Sequence, residues 1–252
     1  MGGGEGGTGP KSAASGAVAG SLYLDEKAES VGDLVKRIQA AGAKGLLKEF
    51  HRLKSQCSKM DGRTDGASKA AGNVKKNRYK DVGCWDQTRG KLEPVEGAGE
   101  GDYIHANWVE GVEQPRRYIL TQGPMLNIPG YADTTADMWR MVWEQGGAVI
   151  IMLCQVVEQD KSKCAQYWPT VKGAAQIHGN FSVFCKEAGD RHIADHTIVL
   201  SNLILTPING GEGRREICHY LHSNWPDRKS PPSAAPIVVF LLMVNKAAKT
   251  LA

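Results

Sequence analysis

Ala148-Val-Ile-Ile-Met-Leu153 is apolar at every position. A strand with one face in water alternates apolar and polar side chains, whereas a strand covered on both faces has no reason to alternate. The run therefore predicts a strand packed between helices, and with it an α/β domain built on a twisted mixed sheet flanked by helices. Other short extended runs lie on either side of it: Tyr103 to Val109, Arg117 to Gln122, His178 to Cys185, Thr197 to Leu205 and Arg215 to His222. Two helical patterns separate some of them. Thr135 is placed to cap a helix carrying Met138, Trp139, Met141 and Val142, and Ser233 to cap one running from Ala234 to about Lys249. The glycines from Gly210 to Gly213 predict a hairpin turn rather than a nucleotide-binding loop.

Upstream of this block the composition changes. Residues 1–20 are nearly all Gly, Ala and Ser, which bury too little apolar surface to offset their ordering entropy, so a disordered tail is expected there. Residues 21–45 form an N-terminal helical segment in this reading. Val31, Leu34, Val35 and Ile38 recur at helical spacing behind a capping-box pair, Ser30 and Asp33. Gly42 and Gly45 interrupt that helix, and a second short one follows with Leu46, Leu47, Phe50 and Leu53 on one side. A single main domain is then expected over 46–252.

The 252 residues carry 31 basic and 27 acidic side chains, a net charge of +4 dispersed along the chain. That balance gives no argument for nucleic acid or for an anionic membrane surface. The apolar runs are far shorter than the roughly 20 residues a bilayer requires, so no membrane span is expected. Six scattered cysteines and a start without a signal-peptide pattern predict a reduced, cytoplasmic chain. Cys218, His219 and His222 do not predict a metal site, because adjacent strand residues point to opposite faces.

The most specific signal is a series of short motifs: Lys76-Asn-Arg-Tyr-Lys-Asp-Val82, Asp102-Tyr-Ile-His-Ala-Asn107, Thr121-Gln-Gly-Pro124, Asp137-Met-Trp-Arg-Met-Val-Trp-Glu144, Lys163-Cys-Ala-Gln-Tyr-Trp-Pro169, and His219 through Trp225-Pro226-Asp227. In this order and with these gaps the chain resembles the tyrosine-specific protein phosphatases of the non-receptor, cysteine-dependent type, over about Leu46 to Lys249. The resemblance implies hydrolysis of phosphotyrosine on proteins through a phosphocysteine, with no metal or organic cofactor and with a phosphotyrosine protein or peptide as partner. It implies a role for Asp227 as the general acid that protonates the departing phenolate, whose conjugate acid has a pKa near 10. Trp225 and Pro226 would anchor the mobile loop carrying that acid. By the same resemblance Tyr79 stacks on the phosphotyrosine ring, Asp81 orients the peptide backbone, and Lys163 and Glu158 brace the site. A plain turn, a core tyrosine and an exposed ion pair are the bland readings of these same residues.

Two departures from the family pattern are visible. Lys229 stands where the acid loop usually has a glycine, which restricts the backbone. The family's nucleophile, a cysteine followed by five residues and an arginine, does not follow the helix ending near Lys249, so the domain is expected to be partial and C-terminally incomplete. Cys57 to Arg63 and Cys185 to Arg191 have the bare spacing, but Asp61 in the first and Glu187 and Asp190 in the second would repel a phosphate dianion. As written, the chain is expected not to complete the catalytic cycle. Its alternative readings are a pseudophosphatase, a phosphotyrosine-peptide binding module or an unstable truncated product.

Overall fold

A computed structural model describes residues 30–58, 62–94, 101–111, 118–193, 196–209, 211–226, 229–231 and 233–251. The chain divides into two compact units, Met1–Asp61 and Gly62–Ala252. The described part of the first is helix α1, Val31–Ser58. Ser30 caps it: its Oγ accepts the Asp33 N–H at 3.2 Å and donates to the Asp33 carboxylate at 2.7 Å. At Gly42 the backbone leaves helical geometry (φ 55°, ψ −176°), so α1 is two helical segments joined at a kink. Gly42 makes the break by itself; Gly45 is helical.

The second unit begins with a four-residue helix, α2 (Gly66–Lys69), and a 3₁₀ turn, Val74–Lys76. Strands β1 (Arg89–Lys91), β2 (Tyr103–Val109) and β3 (Tyr118–Thr121) form a small antiparallel sheet. Helix α3 (Thr135–Glu144) follows, then β4 (Val149–Met152) and a two-stranded hairpin of β5 (Val157–Glu158) and β6 (Lys161–Ser162). Strands β7 (Ala175–His178), β8 (Phe181–Ile193), β9 (His196–Pro207) and β10 (Arg215–His222) complete a five-stranded sheet of order β4-β10-β9-β8-β7. The β4–β10 pair is parallel and the other pairs are antiparallel, so the sheet is mixed as expected. Helix α4, Ala235–Leu251, closes the described chain.

The alternation of side chains along β10 explains how this sheet serves two cores. Ile217 and Leu221 join the larger core with Trp139, Met138 and Met141 of α3 and Trp168. Cys218 and Tyr220 point the other way and pack with Ile198, Phe240 and Val244, the last two from α4. The run that opened the sequence reading is indeed a strand, but its two faces are not equally covered. Ile150 and Met152 are buried, whereas Ile151 is 39% exposed. The reason is position: β4 is the end strand of its sheet, and the α4 cluster covers it only at Val149.

Thr135 is the first residue of α3 and not its cap. Thr134 takes that position without a side-chain capping bond, while Asp133 accepts both the Thr135 N–H and hydroxyl at 2.8 Å. The expected strand from His178 to Cys185 is split, because Gly179 turns the chain at φ 56° between β7 and β8. The Ala136 Cβ would lie 2.9 Å from a Cβ at Gly179, so no larger residue fits that turn.

Candidate active site

Tyr79 and Asp81 stand on an exposed turn whose root is fixed by the two residues before it. Asn77 is buried and uses its whole amide. Its Oδ1 accepts the Tyr103 hydroxyl at 2.5 Å and lies 3.0 Å from His105 Nδ1, and its Nδ2 donates to the carbonyls of Ser68 and Asn73. Arg78 is buried too. Its guanidinium donates to the carbonyls of Gly123 (2.9 Å), Ser162 (3.1 Å) and Pro124 (2.6 Å), and its N–H donates to the Gln122 side chain at 2.8 Å. Lys76 contributes an ion pair to Asp137 of α3 at 2.8 Å. The chain then surfaces at once, with Tyr79 45% exposed.

The neighbouring motifs interlock with that root. Gln122 Nε2 donates back to the Lys76 carbonyl at 2.7 Å, and Thr121 Oγ1 donates to the His105 carbonyl at 3.0 Å. Gly123 must be glycine, because a Cβ there would sit 2.7 Å from the Lys163 carbonyl. Burial pulls the His105 pKa below its ordinary value, so this imidazole stays neutral beside Asn77.

Glu158 lies on β5, where its carboxylate accepts the Gln155 N–H at 2.9 Å. Gln155 Nε2 in turn donates to the Ser223 carbonyl at 3.0 Å, which ties the β5–β6 hairpin to the end of β10. Lys163 follows β6 and donates its backbone N–H to the Val156 carbonyl at 2.9 Å. The elements bearing Glu158, Lys163, Tyr79 and the segment after β10 are thus linked through Arg78 and Gln155.

Asp227 lies outside the described residues, but its neighbours are placed. Trp225 and Pro226 are half-buried; the Trp225 indole N–H donates to the Lys229 carbonyl at 3.0 Å, and the Lys229 N–H to the Pro226 carbonyl at 3.2 Å. These two bonds hold Trp225 and Pro226 close to Lys229. His222 and Trp225 meet edge to face at 6.1 Å. His219, one face of β10 away, is fully buried, stacks on Trp168 at 4.2 Å and is hydrogen-bonded to the Tyr167 hydroxyl at 2.9 Å. Burial pulls its pKa down to about 3.

Of the spacing look-alikes, Cys185 and Arg191 both lie on β8, with Cys185 fully buried and its thiol pushed up by burial. A continuous strand offers no cradle of converging amides for an anion. Cys57 belongs to α1, its side chain lies outside the described residues, and Arg63 belongs to the other unit. Of the cysteines read as scattered, Cys154 follows β4 and Cys164 follows β6, so the β5–β6 hairpin lies between them. Sequence reasoning also missed Asn77 and Arg78 as the root of the Tyr79 turn. Their only signal was membership of a motif, because neither takes part in an apolar period.

Residues 73–251 match the family model for protein-tyrosine phosphatase, and the chain belongs to that family. It is 39% identical over 178 residues to a Lar-like tyrosine-protein phosphatase of Caenorhabditis elegans, covering 71% of this chain and 8% of that one. It is 34% identical over 219 residues to human tyrosine-protein phosphatase non-receptor type 9, covering 86% of this chain and 34% of that one. The chain thus spans 8% and 34% of the length of these two relatives. Among solved structures, the catalytic domain of human protein tyrosine phosphatase non-receptor type 18 superposes with a TM-score of 0.72 at 30% identity, covering 85% of this chain and 72% of that chain. The same phosphatase in complex with HER2 phosphopeptides gives a TM-score of 0.72 at 32% identity. Among the described residues, no helix is long and apolar enough to cross a membrane.

Proposed function

We propose that this chain supplies the substrate-recognition and general-acid portion of a cytoplasmic protein-tyrosine phosphatase acting on phosphotyrosine in proteins, and that the 252-residue polypeptide alone does not turn over. The observation that carries the recognition half is the Tyr79 turn. An exposed aromatic ring and an exposed carboxylate, Asp81, are presented by a root that Asn77 and Arg78 immobilise. A ring held this way loses little entropy on stacking against a phosphotyrosine. Asp227 is assigned as the acid from its motif, with Trp225 and Pro226 framing its loop and with Glu158 and Lys163 bracing the site.

Hydrolysis requires a nucleophile opposite the acid, and no thiol in these 252 residues stands in a histidine-cysteine-x5-arginine loop. Binding is therefore the activity the polypeptide retains. A phosphotyrosine peptide should bind measurably by calorimetry, and Tyr79→Ala should weaken it by about 1 kcal/mol, roughly fivefold, the worth of one aromatic contact. The same peptide without phosphate should bind less tightly. Release of p-nitrophenol from p-nitrophenyl phosphate, if it vanished in Cys57→Ser, would refute the predicted lack of turnover. Unaltered peptide affinity in Tyr79→Ala would refute the recognition role.

A further inference from the structure

Helix α1 carries six basic side chains, Lys36, Arg37, Lys44, Lys48, Arg52 and Lys54, against two acidic ones, Asp33 and Glu49. Its charge of +4 equals that of the whole 252-residue chain. The remaining residues therefore balance, and the net charge read from the sequence as dispersed is concentrated on this one helix. The two carboxylates of α1 pair with Lys36 at 3.6 Å and with Arg37 at 3.7 Å. Lys44, Lys48 and Arg52 step by four residues and form a cationic row along one side.

The other side is apolar and open. None of the described side chains of α1 is buried. Leu34, Val35 and Ile38 before the Gly42 kink, and Leu46, Leu47, Phe50 and Leu53 after it, are each between 36% and 58% exposed. At 3.6 residues per turn each set spans about a third of the helix circumference, and the cationic row lies opposite the second set. An exposed apolar stripe of this size marks a surface that something covers. Nucleic acid would meet the charge and leave the stripe in water. An acidic protein groove covers both, but it grips a continuous helix, with anchors spread along one face. Helix α1 is not continuous: Arg37 and Glu49 lie 3.7 Å apart, whereas twelve residues of unbroken helix would separate them by about 18 Å along the axis. Folding back at Gly42 gives two short stripes in place of one long one, and a lipid surface accommodates these where a groove does not.

We infer that α1 docks on an anionic membrane surface, lying in the plane of the interface. Leu47 and Phe50, the most exposed of its apolar side chains, enter the boundary between headgroups and acyl chains. Lys44, Lys48 and Arg52 sit on the polar face, within reach of the negative surface potential of acidic lipids. The helix lies on the bilayer and does not cross it, since among the described residues no helix is long and apolar enough to span. None of the residues assigned to recognition or acid catalysis belongs to α1, so the inference stands apart from that reading.

The test sediments the full 252-residue chain with vesicles of phosphatidylcholine alone and of phosphatidylcholine containing roughly 30% phosphatidylserine. The chain should sediment with the mixed vesicles, stay largely in solution with the neutral ones, and be released as NaCl is raised toward about 0.5 M. Replacing Lys44, Lys48 and Arg52 together by Glu should weaken binding at least about a hundredfold, at roughly fivefold for each basic residue lost. Phe50→Ala should weaken it about tenfold. All four positions are exposed, so the variants keep the fold, and matching urea midpoints check this. Lys172→Glu, an equally exposed charge reversal outside α1, should leave sedimentation unchanged. Equal binding to both vesicle types, or undiminished binding by the triple variant, would overturn the inference. So would failure to sediment with the mixed vesicles; if calcium-loaded calmodulin, a probe for acidic grooves, then bound the chain, the partner would be a protein.

Discussion

His219 offers a direct reading of burial as pH-dependent stability. It is fully buried between Trp168 and Tyr167, and its pKa is pulled down to about 3 from an ordinary 6.5. An imidazole that stays neutral when folded but takes a proton when unfolded makes the unfolded state the better proton binder. Its contribution is therefore complete above about pH 6.5 and is lost as the pH falls toward about 3. For these two values the loss from neutral pH to pH 5 is about 2 kcal/mol, and at the acid limit it approaches ~5 kcal/mol, an order-of-magnitude figure. With a urea m-value of about 2 kcal/mol/M, the pH 5 loss moves the unfolding midpoint by about 1 M. Carboxylates and the other buried imidazoles titrate as well, so the informative quantity is a difference. Urea unfolding at pH 7.5 and at pH 5 should show the parent losing about 2 kcal/mol more than His219→Gln, whose amide can still meet Tyr167 but does not titrate. Equal losses in the two proteins, or a His219 imidazole resonance that titrates near pH 6, would refute the argument.

Three further substitutions probe the frame of the site. Asn77→Ala strands the buried Tyr103 hydroxyl and the Ser68 carbonyl, and should cost about 2–4 kcal/mol in urea unfolding. Gly123→Ala places a methyl 2.7 Å from the Lys163 carbonyl, and the hairpin root must shift to admit it; a loss of about 1–3 kcal/mol should appear as a lower Tm. Lys186→Ala breaks a 3.0 Å pair to Glu216 in which both side chains are about half exposed, and chemical denaturation should register a change within about 0.5 kcal/mol.

What the sequence revealed depended on which force placed each element. Burial selects apolar side chains, and the runs at Tyr103–Val109 and Arg215–His222 were legible because each packs on the core. The far half of β8 was not. Lys186 to Arg191 has a polar composition and lies exposed, held by its backbone ladder with β9, and a ladder leaves no mark on side-chain pattern. Gly42 was legible as a break because its φ of 55° is one that other residues rarely adopt. The candidate site was legible only as motifs. That Asn77 and Arg78 lock the Tyr79 turn follows from hydrogen bonds to carbonyls as far away as Ser162, and any residue has a carbonyl.

Strand β10 is a party wall. Its odd-numbered side chains furnish the room that holds α3, its even-numbered ones the room that holds α4. Substitutions on opposite sides of it, such as at Ile217 and Tyr220, have different neighbours to satisfy, so their energetic effects should add, with little need for one to compensate the other. Either chamber can then drift in sequence while the segment beyond His222 keeps the same anchorage.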